Sequence, residues 1–133
     1  LPLYGKGLNI RDWIFVKDNC RAIDLIMHRG EVGEIYNIAG NTQRTNKELA
    51  KIILKLMHKS QDLIRYVLDR PGHDYRYALD CRKIHRLGWR PQYNFIQGLE
   101  LTINWYTVNT AWWQKIKQKK QYQSHYQAWY KSR

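Results

Sequence analysis

The sequence has few cysteines, few acidic residues and no long hydrophobic run. Its 133 residues include two cysteines, Cys20 and Cys81, and neither has a cysteine or histidine at the short spacing of a metal site. We therefore expect two reduced thiols, no disulfide framework and no bound metal. No stretch approaches the roughly eighteen consecutive apolar residues of a membrane-spanning helix, which excludes a spanning protein.

Several signatures of catalytic and phosphate-binding loops are also missing. There is no G-x-G-x-x-G loop, no P-loop and no G-x-S-x-G elbow, so no complete active site can be assembled from these residues. The first residues, Leu1-Pro2-Leu3, include no initiator methionine and no signal-peptide pattern. We expect the chain to be part of a longer cytoplasmic protein.

The charge is strongly unbalanced. Lys and Arg number 23 against 11 Asp and Glu, and the net charge is +12. Half of this excess lies in residues 115–133, which contain no acid and carry four tail aromatics, Tyr122, Tyr126, Trp129 and Tyr130. Such a mixture fits a free-standing module that binds single-stranded nucleic acid or another polyanion. A solvated extension whose aromatics fold back on the body is the favoured alternative, because charge runs are usually solvated faces.

The remaining sequence alternates between strand and helix patterns, which predicts an α/β or α+β fold. A short apolar run at Leu1–Tyr4 precedes the predicted strands, and we expect it to form a hairpin with the first of them, or to end beside it. The predicted strands are Ile10–Val16, Ile35–Ala39 and Ile64–Leu68. Four helices are also predicted. The first is capped by Asp18 and the second begins at the capping box Thr45–Glu48. The third starts near Asp80 and ends before Gly88, and the fourth is capped by Asn94.

An ordered series of motifs makes the chain recognisable. It runs through L-P-L-Y-G-K-G, I-R-D-W-I-F-V, G-E-I-Y-N-I-A-G-N, T-N-K-E-L, D-R-P-G-H-D-Y-R-Y-A-L-D and L-G-W-R-P. The series resembles the carboxyl-terminal portion of the dTDP-glucose 4,6-dehydratases, which are extended short-chain dehydrogenases/reductases. One residue of the family pattern is missing before Leu87, which leaves the placement of Trp89 open.

The resemblance implies an α/β substrate-binding part that completes a Rossmann-type sheet. Family members use NAD to convert dTDP-glucose to dTDP-4-dehydro-6-deoxy-glucose and water, and they are usually homodimers. Their NAD loop and catalytic residues belong to the amino-terminal half, so the resemblance implies that this chain binds dTDP-glucose, lacks the NAD site and is inactive alone. We divide it into a substrate-binding portion, 1–110, and a basic aromatic tail, 111–133.

The resemblance also assigns site residues. Arg11 and Arg70 match arginines that pair with the diphosphate, a role that suits a planar guanidinium. His73 matches a residue that hydrogen-bonds the phosphate or hexose. The other matching positions are Pro2, Leu3, Tyr4, Asn46, Asp69, Pro71, Gly72 and Tyr130.

Each assignment has a structural alternative. In these alternatives, Arg11 forms an ion pair with Asp12 or Asp18, and Asn46 only assists the start of a helix. Residues 69–73 then form a surface turn without a ligand, and Tyr130 packs on a neighbouring helix.

Overall fold

The computed structural model describes residues 1–128, which form two compact units of short strands and helices. The strands are β1 (Pro2–Tyr4), β2 (Ile10–Asp12), β3 (Gln43–Thr45) and β4 (Arg65–Val67). The helices are α1 (Val16–Arg29), α2 (Asn46–Leu56), α3 (Arg82–Arg86), α4 (Phe95–Val108), α5 (Thr110–Lys117) and α6 (Lys120–Tyr126), with a 3-10 turn at Gln61–Leu63.

The first unit combines Leu1–Leu8, Asn46–His73 and residues 100–128. Its centre is a parallel pair of strands in which β1 lies beside β4, with Leu3 opposite Tyr66. Helix α2 is amphipathic, and its buried residues are Ala50 and Leu54.

The second unit combines Asn9–Thr45 and Asp74–Leu99. Strands β2 and β3 pair antiparallel, and Ile10 also exchanges backbone hydrogen bonds with Tyr75 and Tyr77. The segment before α3 therefore runs beside β2. The buried core of this unit consists of Ala22, Ala39, Cys81, Ile84 and Trp89.

Asp18 has a different role from the predicted helix cap. Helix α1 begins earlier, at Val16, and Asp18 lies inside its first turn with no solvent exposure. Its carboxylate accepts the backbone N–H groups of Gln92 and Tyr93 at 3.0 and 3.1 Å and pairs with Arg21 at 2.8 Å. The prediction was wrong because it considered only local partners, whereas this aspartate ties α1 to the segment before α4.

The predicted hairpin is also wrong. Strand β1 pairs with β4, and β2 pairs with β3, so the two amino-terminal strands are not ladder partners. The strand predicted over Ile10–Val16 ends at Asp12, because helix α1 begins at Val16 and takes up the last residue of the predicted run.

The run Ile35–Ala39 forms no strand. Its backbone has no ladder partner among residues 1–128, although Ala39 is buried in the core and Tyr36 and Ile38 pack against it. Packing of Tyr36, Ile38 and Ala39 therefore explains part of the apolar pattern, whereas the Ile35 side chain is exposed. Gly40 follows at a close approach, where a Cβ atom would lie 2.0 Å from the carbonyl oxygen of Trp13.

Other local predictions are confirmed. Strands occupy both Pro2–Tyr4 and Arg65–Val67, inside the predicted runs. Helix α2 starts directly after Thr45, and Asn94 caps α4 reciprocally with Gln97, each side chain accepting the other's backbone N–H at 3.0 Å. The predicted helix near Asp80 is the short α3, which ends before Gly88.

The placement of Trp89, which the sequence left open, is a buried one. Only 3% of its surface is exposed, and its indole N–H donates to the backbone oxygen of Asp18 at 3.2 Å.

None of the helices in the described part is long and apolar enough to cross a membrane.

Candidate functional site

The segment Asp69–His73 forms a turn that its own aspartate closes. One carboxylate oxygen, Oδ1 of Asp69, accepts the backbone N–H of Arg70 at 2.9 Å and faces Nδ1 of His73 at 2.7 Å. Gly72 has φ of +64°, a backbone conformation that glycine adopts without a Cβ clash. The Pro-Gly sequence thus makes the tight turn predicted for it.

The end of β1 lies against this turn. The ring of Tyr4 meets the ring of His73 edge to face, with centroids 6.0 Å apart. Gly5 follows with φ of +54°, and a Cβ atom there would lie 2.7 Å from Oδ2 of Asp69. The chain approaches the carboxylate this closely because residue 5 has no side chain.

The two basic side chains of the turn, Arg70 and His73, differ in exposure. The His73 side chain is only 7% exposed, whereas Arg70 is exposed and its guanidinium has no hydrogen-bonding partner among residues 1–128. The hydrogen bond from His73, above all, holds the pKa of Asp69 below its usual 3.8, with smaller contributions from the backbone N–H and the charge of Arg70. The turn therefore presents an unpaired, planar cation beside a fixed histidine.

Arg11 lies in the second unit and is held by backbone carbonyls. Its guanidinium donates to the carbonyl oxygens of Ile10 and Asp74 at 2.7 and 3.0 Å, and it stacks over the Tyr77 ring at 4.3 Å. The alternative ion pairs are not formed: Asp12 accepts the N–H of Thr42, and the partners of Asp18 are those described above. With two donors used, Arg11 keeps further N–H groups for an anion.

The remaining predicted site residues are dispersed over the first unit. Pro2 is exposed and Leu3 is partly buried on β1, and Asn46 is partly buried at the first position of α2. The first unit thus brings Tyr4 to the turn Asp69–His73, whereas Arg11 belongs to the second unit. Tyr130 lies outside the described residues.

Sequence reasoning assigned no site role to Gly5 or Tyr77. Gly5 was identified only as part of a turn, although its lack of a side chain makes room for Asp69. The ring of Tyr77 stacks against the guanidinium of Arg11. Neither contact has a local signal, because the partners are 64 and 66 positions apart in the sequence.

The side chains of this turn and of Arg11 are chemically suited to contacts with anions and hydroxyl groups. Arginine guanidinium groups match phosphate oxygens in geometry and charge, and an imidazole can accept or donate a hydrogen bond. Among residues 1–128, no group of three or more His, Cys, Asp and Glu side chains is placed to hold a metal ion. The chain also contains no glycine-rich dinucleotide loop, so its residues do not fit an NAD pyrophosphate site of that kind.

Comparison with known proteins identifies relatives among the sugar-nucleotide 4,6-dehydratases. The family model for GDP-mannose 4,6 dehydratase matches residues 1–102. A dTDP-glucose 4,6-dehydratase from Streptomyces niveus is 49% identical over 118 residues, which make up 88% of this chain and 35% of that enzyme.

Solved structures give the same result. The dTDP-glucose 4,6-dehydratase of Bacillus anthracis in complex with NAD matches with a TM-score of 0.83 at 49% identity, over 88% of this chain and 37% of that one. DesIV, the dTDP-glucose 4,6-dehydratase of Streptomyces venezuelae with NAD and TYD bound, gives 0.85 at 47% identity and the same coverage.

The chain therefore spans little more than a third of the length of these relatives. No comparison supports the alternative of a nucleic-acid-binding module. The fold matches the α/β architecture expected for a part of an extended short-chain dehydrogenase/reductase. The chain belongs to the sugar-nucleotide 4,6-dehydratase family that the matching model describes, and within it resembles a portion of the dTDP-glucose 4,6-dehydratases, as its motif series predicts.

Proposed function

We propose that this chain is the nucleotide-sugar-binding part of a dTDP-glucose 4,6-dehydratase, the enzyme that converts dTDP-glucose to dTDP-4-dehydro-6-deoxy-glucose and water. Family membership supports the reaction class, and the 44–49% identical relatives of that name support the substrate. The observation that carries the proposal is the exposed, unpaired guanidinium of Arg70 on the turn closed by Asp69.

In this proposal Arg70 binds the diphosphate and His73 bonds a phosphate or hexose oxygen. A guanidinium with no competing carboxylate partner is available for bidentate phosphate contacts, which are stronger than neutral hydrogen bonds. His73 is mostly buried and fixed by two neighbours, Asp69 and Tyr4, so it offers a defined geometry and not a mobile ring.

We propose a phosphate contact for Arg11 on separate grounds. Its two backbone hydrogen bonds and its stacking on Tyr77 fix the plane of the guanidinium. A fixed fork loses less conformational entropy on binding an anion than a mobile side chain does.

NAD supplies the hydride chemistry in this family, and related dehydratases are solved with it. Since the residues of this chain do not form a dinucleotide loop, we propose that NAD binds to a part of the enzyme that this sequence does not include. The 133-residue chain alone should then bind the nucleotide but form no 4-keto product from dTDP-glucose, as followed by absorbance.

A nucleotide series tests the proposal by calorimetry. Each phosphate removed takes away charge-assisted hydrogen bonds, so dTDP should bind more tightly than dTMP, and dTMP more tightly than thymidine. An affinity that is equal for dTDP and thymidine would show that no diphosphate site is present. A 30-nucleotide single strand serves as the polyanion control, and tighter binding of this strand than of dTDP would favour the nucleic-acid module.

A further inference from the structure

We infer that Asp69 is a positioning residue that fixes the tautomer of His73, so that Nε2 is the ring nitrogen presented to the ligand. The inference refines the proposed function, because it names which atom of His73 the proposed site uses. It rests on hydrogen-bonding chemistry that holds whether or not a nucleotide is bound.

The carboxylate determines where the proton of the neutral ring resides. An ionised carboxylate has no proton to donate, so at 2.7 Å the shared hydrogen belongs to Nδ1 of His73 and Asp69 accepts it. The lowered pKa of Asp69 keeps this group ionised through the neutral range. With Nδ1 protonated, Nε2 of neutral His73 carries the lone pair and accepts a hydrogen bond.

Nε2 is the nitrogen of His73 that the turn leaves unbonded. No group among residues 1–128 forms a hydrogen bond with this nitrogen, whereas Nδ1 is fully used by Asp69. A lone-pair nitrogen suits a hydroxyl group of a sugar, and the protonated ring suits a phosphate oxygen. In both states the ring keeps the same orientation.

Charge argues against a direct ligand contact for Asp69. A carboxylate placed against a diphosphate would repel it, and both oxygens of Asp69 already have neighbours on the protein. Oδ1 faces the N–H groups of Arg70 and His73, and Oδ2 lies against Gly5. Asp69 therefore acts through the turn it closes.

Gly5 and Tyr4 keep Asp69 and His73 in place. A side chain at position 5 would start 2.7 Å from Oδ2 and displace the carboxylate, and the Tyr4 ring edge limits rotation of the His73 ring. These residues are 64 to 69 positions apart in the sequence, and the pairing of β1 with β4 brings them together.

The test is the tautomer of His73 in the unliganded chain, measured from imidazole 15N shifts above pH 8 and assigned with His73→Gln. We expect a protonated Nδ1 in the unmodified chain and in Asp69→Asn, whose amide oxygen still accepts. Asp69→Ala should move the proton to Nε2, the tautomer that histidine prefers in water. Asp24→Ala removes the other aspartate that lies four residues before a histidine, His28, and should leave His73 unchanged.

A protonated Nε2 in the unmodified chain would overturn the inference, even if the alanine variant does not fold. So would an unchanged tautomer in Asp69→Ala. Failure of dTDP to bind any of these chains would count against the proposed function and would leave the tautomer result standing.

Binding adds a second readout with a distinctive sign. If Asp69 acted only through its charge, Asp69→Ala would strengthen dTDP binding by removing repulsion. A positioning role predicts the opposite, an affinity lower by about tenfold or more, the effect of losing one hydrogen bond to a charged group. Partial rescue in Asp69→Asn is expected, and tighter binding in Asp69→Ala would contradict the inference.

Discussion

The carboxylate of Asp18 accepts the backbone N–H of Tyr93 at 3.1 Å, which joins two points 75 residues apart in the chain. Because Asp18 has no exposed surface, its removal leaves this N–H and that of Gln92 without their protein acceptor. A buried N–H group that loses its hydrogen-bond acceptor lowers the free energy of unfolding by about 1–3 kcal/mol. This one residue therefore stabilises the junction between α1 and the start of α4.

We predict that Asp18→Ala lowers the free energy of unfolding by about 3 kcal/mol, the usual cost of breaking a buried charged network. Denaturation in urea, followed by circular dichroism, measures the change. Asp24→Ala on the same helix is the matched control and should change stability by no more than about 0.5 kcal/mol, because Asp24 is exposed. Equal effects of the two substitutions would disprove the structural role of Asp18.

His85 should make stability depend on pH. Its Nε2 is buried without a hydrogen-bonding partner among residues 1–128, and its ring stacks on Trp89 with centroids 6.0 Å apart. Burial, and secondarily the charge of Arg90, hold its pKa below the usual 6.5. The folded state therefore binds fewer protons than the unfolded state, and stability falls as the pH drops below 6.5 and through the folded-state pKa.

A comparison of the chain with His85→Phe isolates this contribution, since phenylalanine keeps a ring against Trp89 and cannot titrate. Unfolding should be measured between pH 5 and 8, and we expect the variant to lose less stability at the acidic end. The exposed His58 provides the control substitution, His58→Gln. An identical pH dependence for His85→Phe and the unmodified chain would refute the prediction.

The two cysteines should differ in reactivity. Cys20 is exposed, whereas Cys81 is 3% exposed and burial raises its pKa. Since the thiolate is the reactive form, iodoacetamide should label Cys20 in the native chain and Cys81 only after denaturation. Mass spectrometry of peptides measures both sites. Labelling of both at one rate under native conditions would contradict the buried core around Cys81.

Arg11 should not tolerate lysine. An ammonium group cannot reproduce two carbonyl contacts, the stacking on Tyr77 and a planar phosphate contact at once. We expect Arg11→Lys to weaken dTDP binding by roughly tenfold, about 1.4 kcal/mol. Arg21→Lys, on the exposed side of α1, is the control. Unchanged affinity in Arg11→Lys would contradict a phosphate contact by Arg11.

Local patterns predicted much of this fold, because helix caps and tight turns depend on near neighbours. Asn94 and Gln97 form the cap of α4, and the Pro71-Gly72 turn forms where its residues require it. Long-range pairing was not predictable in the same way. The apolar run Ile35–Ala39 matches a strand by composition. Its residues Tyr36, Ile38 and Ala39 pack in the core, yet its backbone lies outside any ladder among residues 1–128.

In the candidate site, too, local features were predictable and long-range contacts were not. The motif at residues 69–73 identified the turn, but nothing in the sequence pattern indicated that Asp69 would bond His73 or lie against Gly5. Those contacts depend on the parallel pairing of β1 with β4, which brings distant segments together. Contacts between segments that are distant in the sequence therefore could not be predicted from the motif. The division of the chain at residue 111 stays a prediction.

The central claim, that this chain binds a nucleotide diphosphate through Arg70, is tested most directly by calorimetric titration with dTDP. We predict saturable binding by the chain, an affinity at least about tenfold lower in Arg70→Ala, and no change in Arg65→Ala, which removes another exposed arginine from the same unit. Equal dTDP affinities for the unmodified chain and Arg70→Ala would contradict the account.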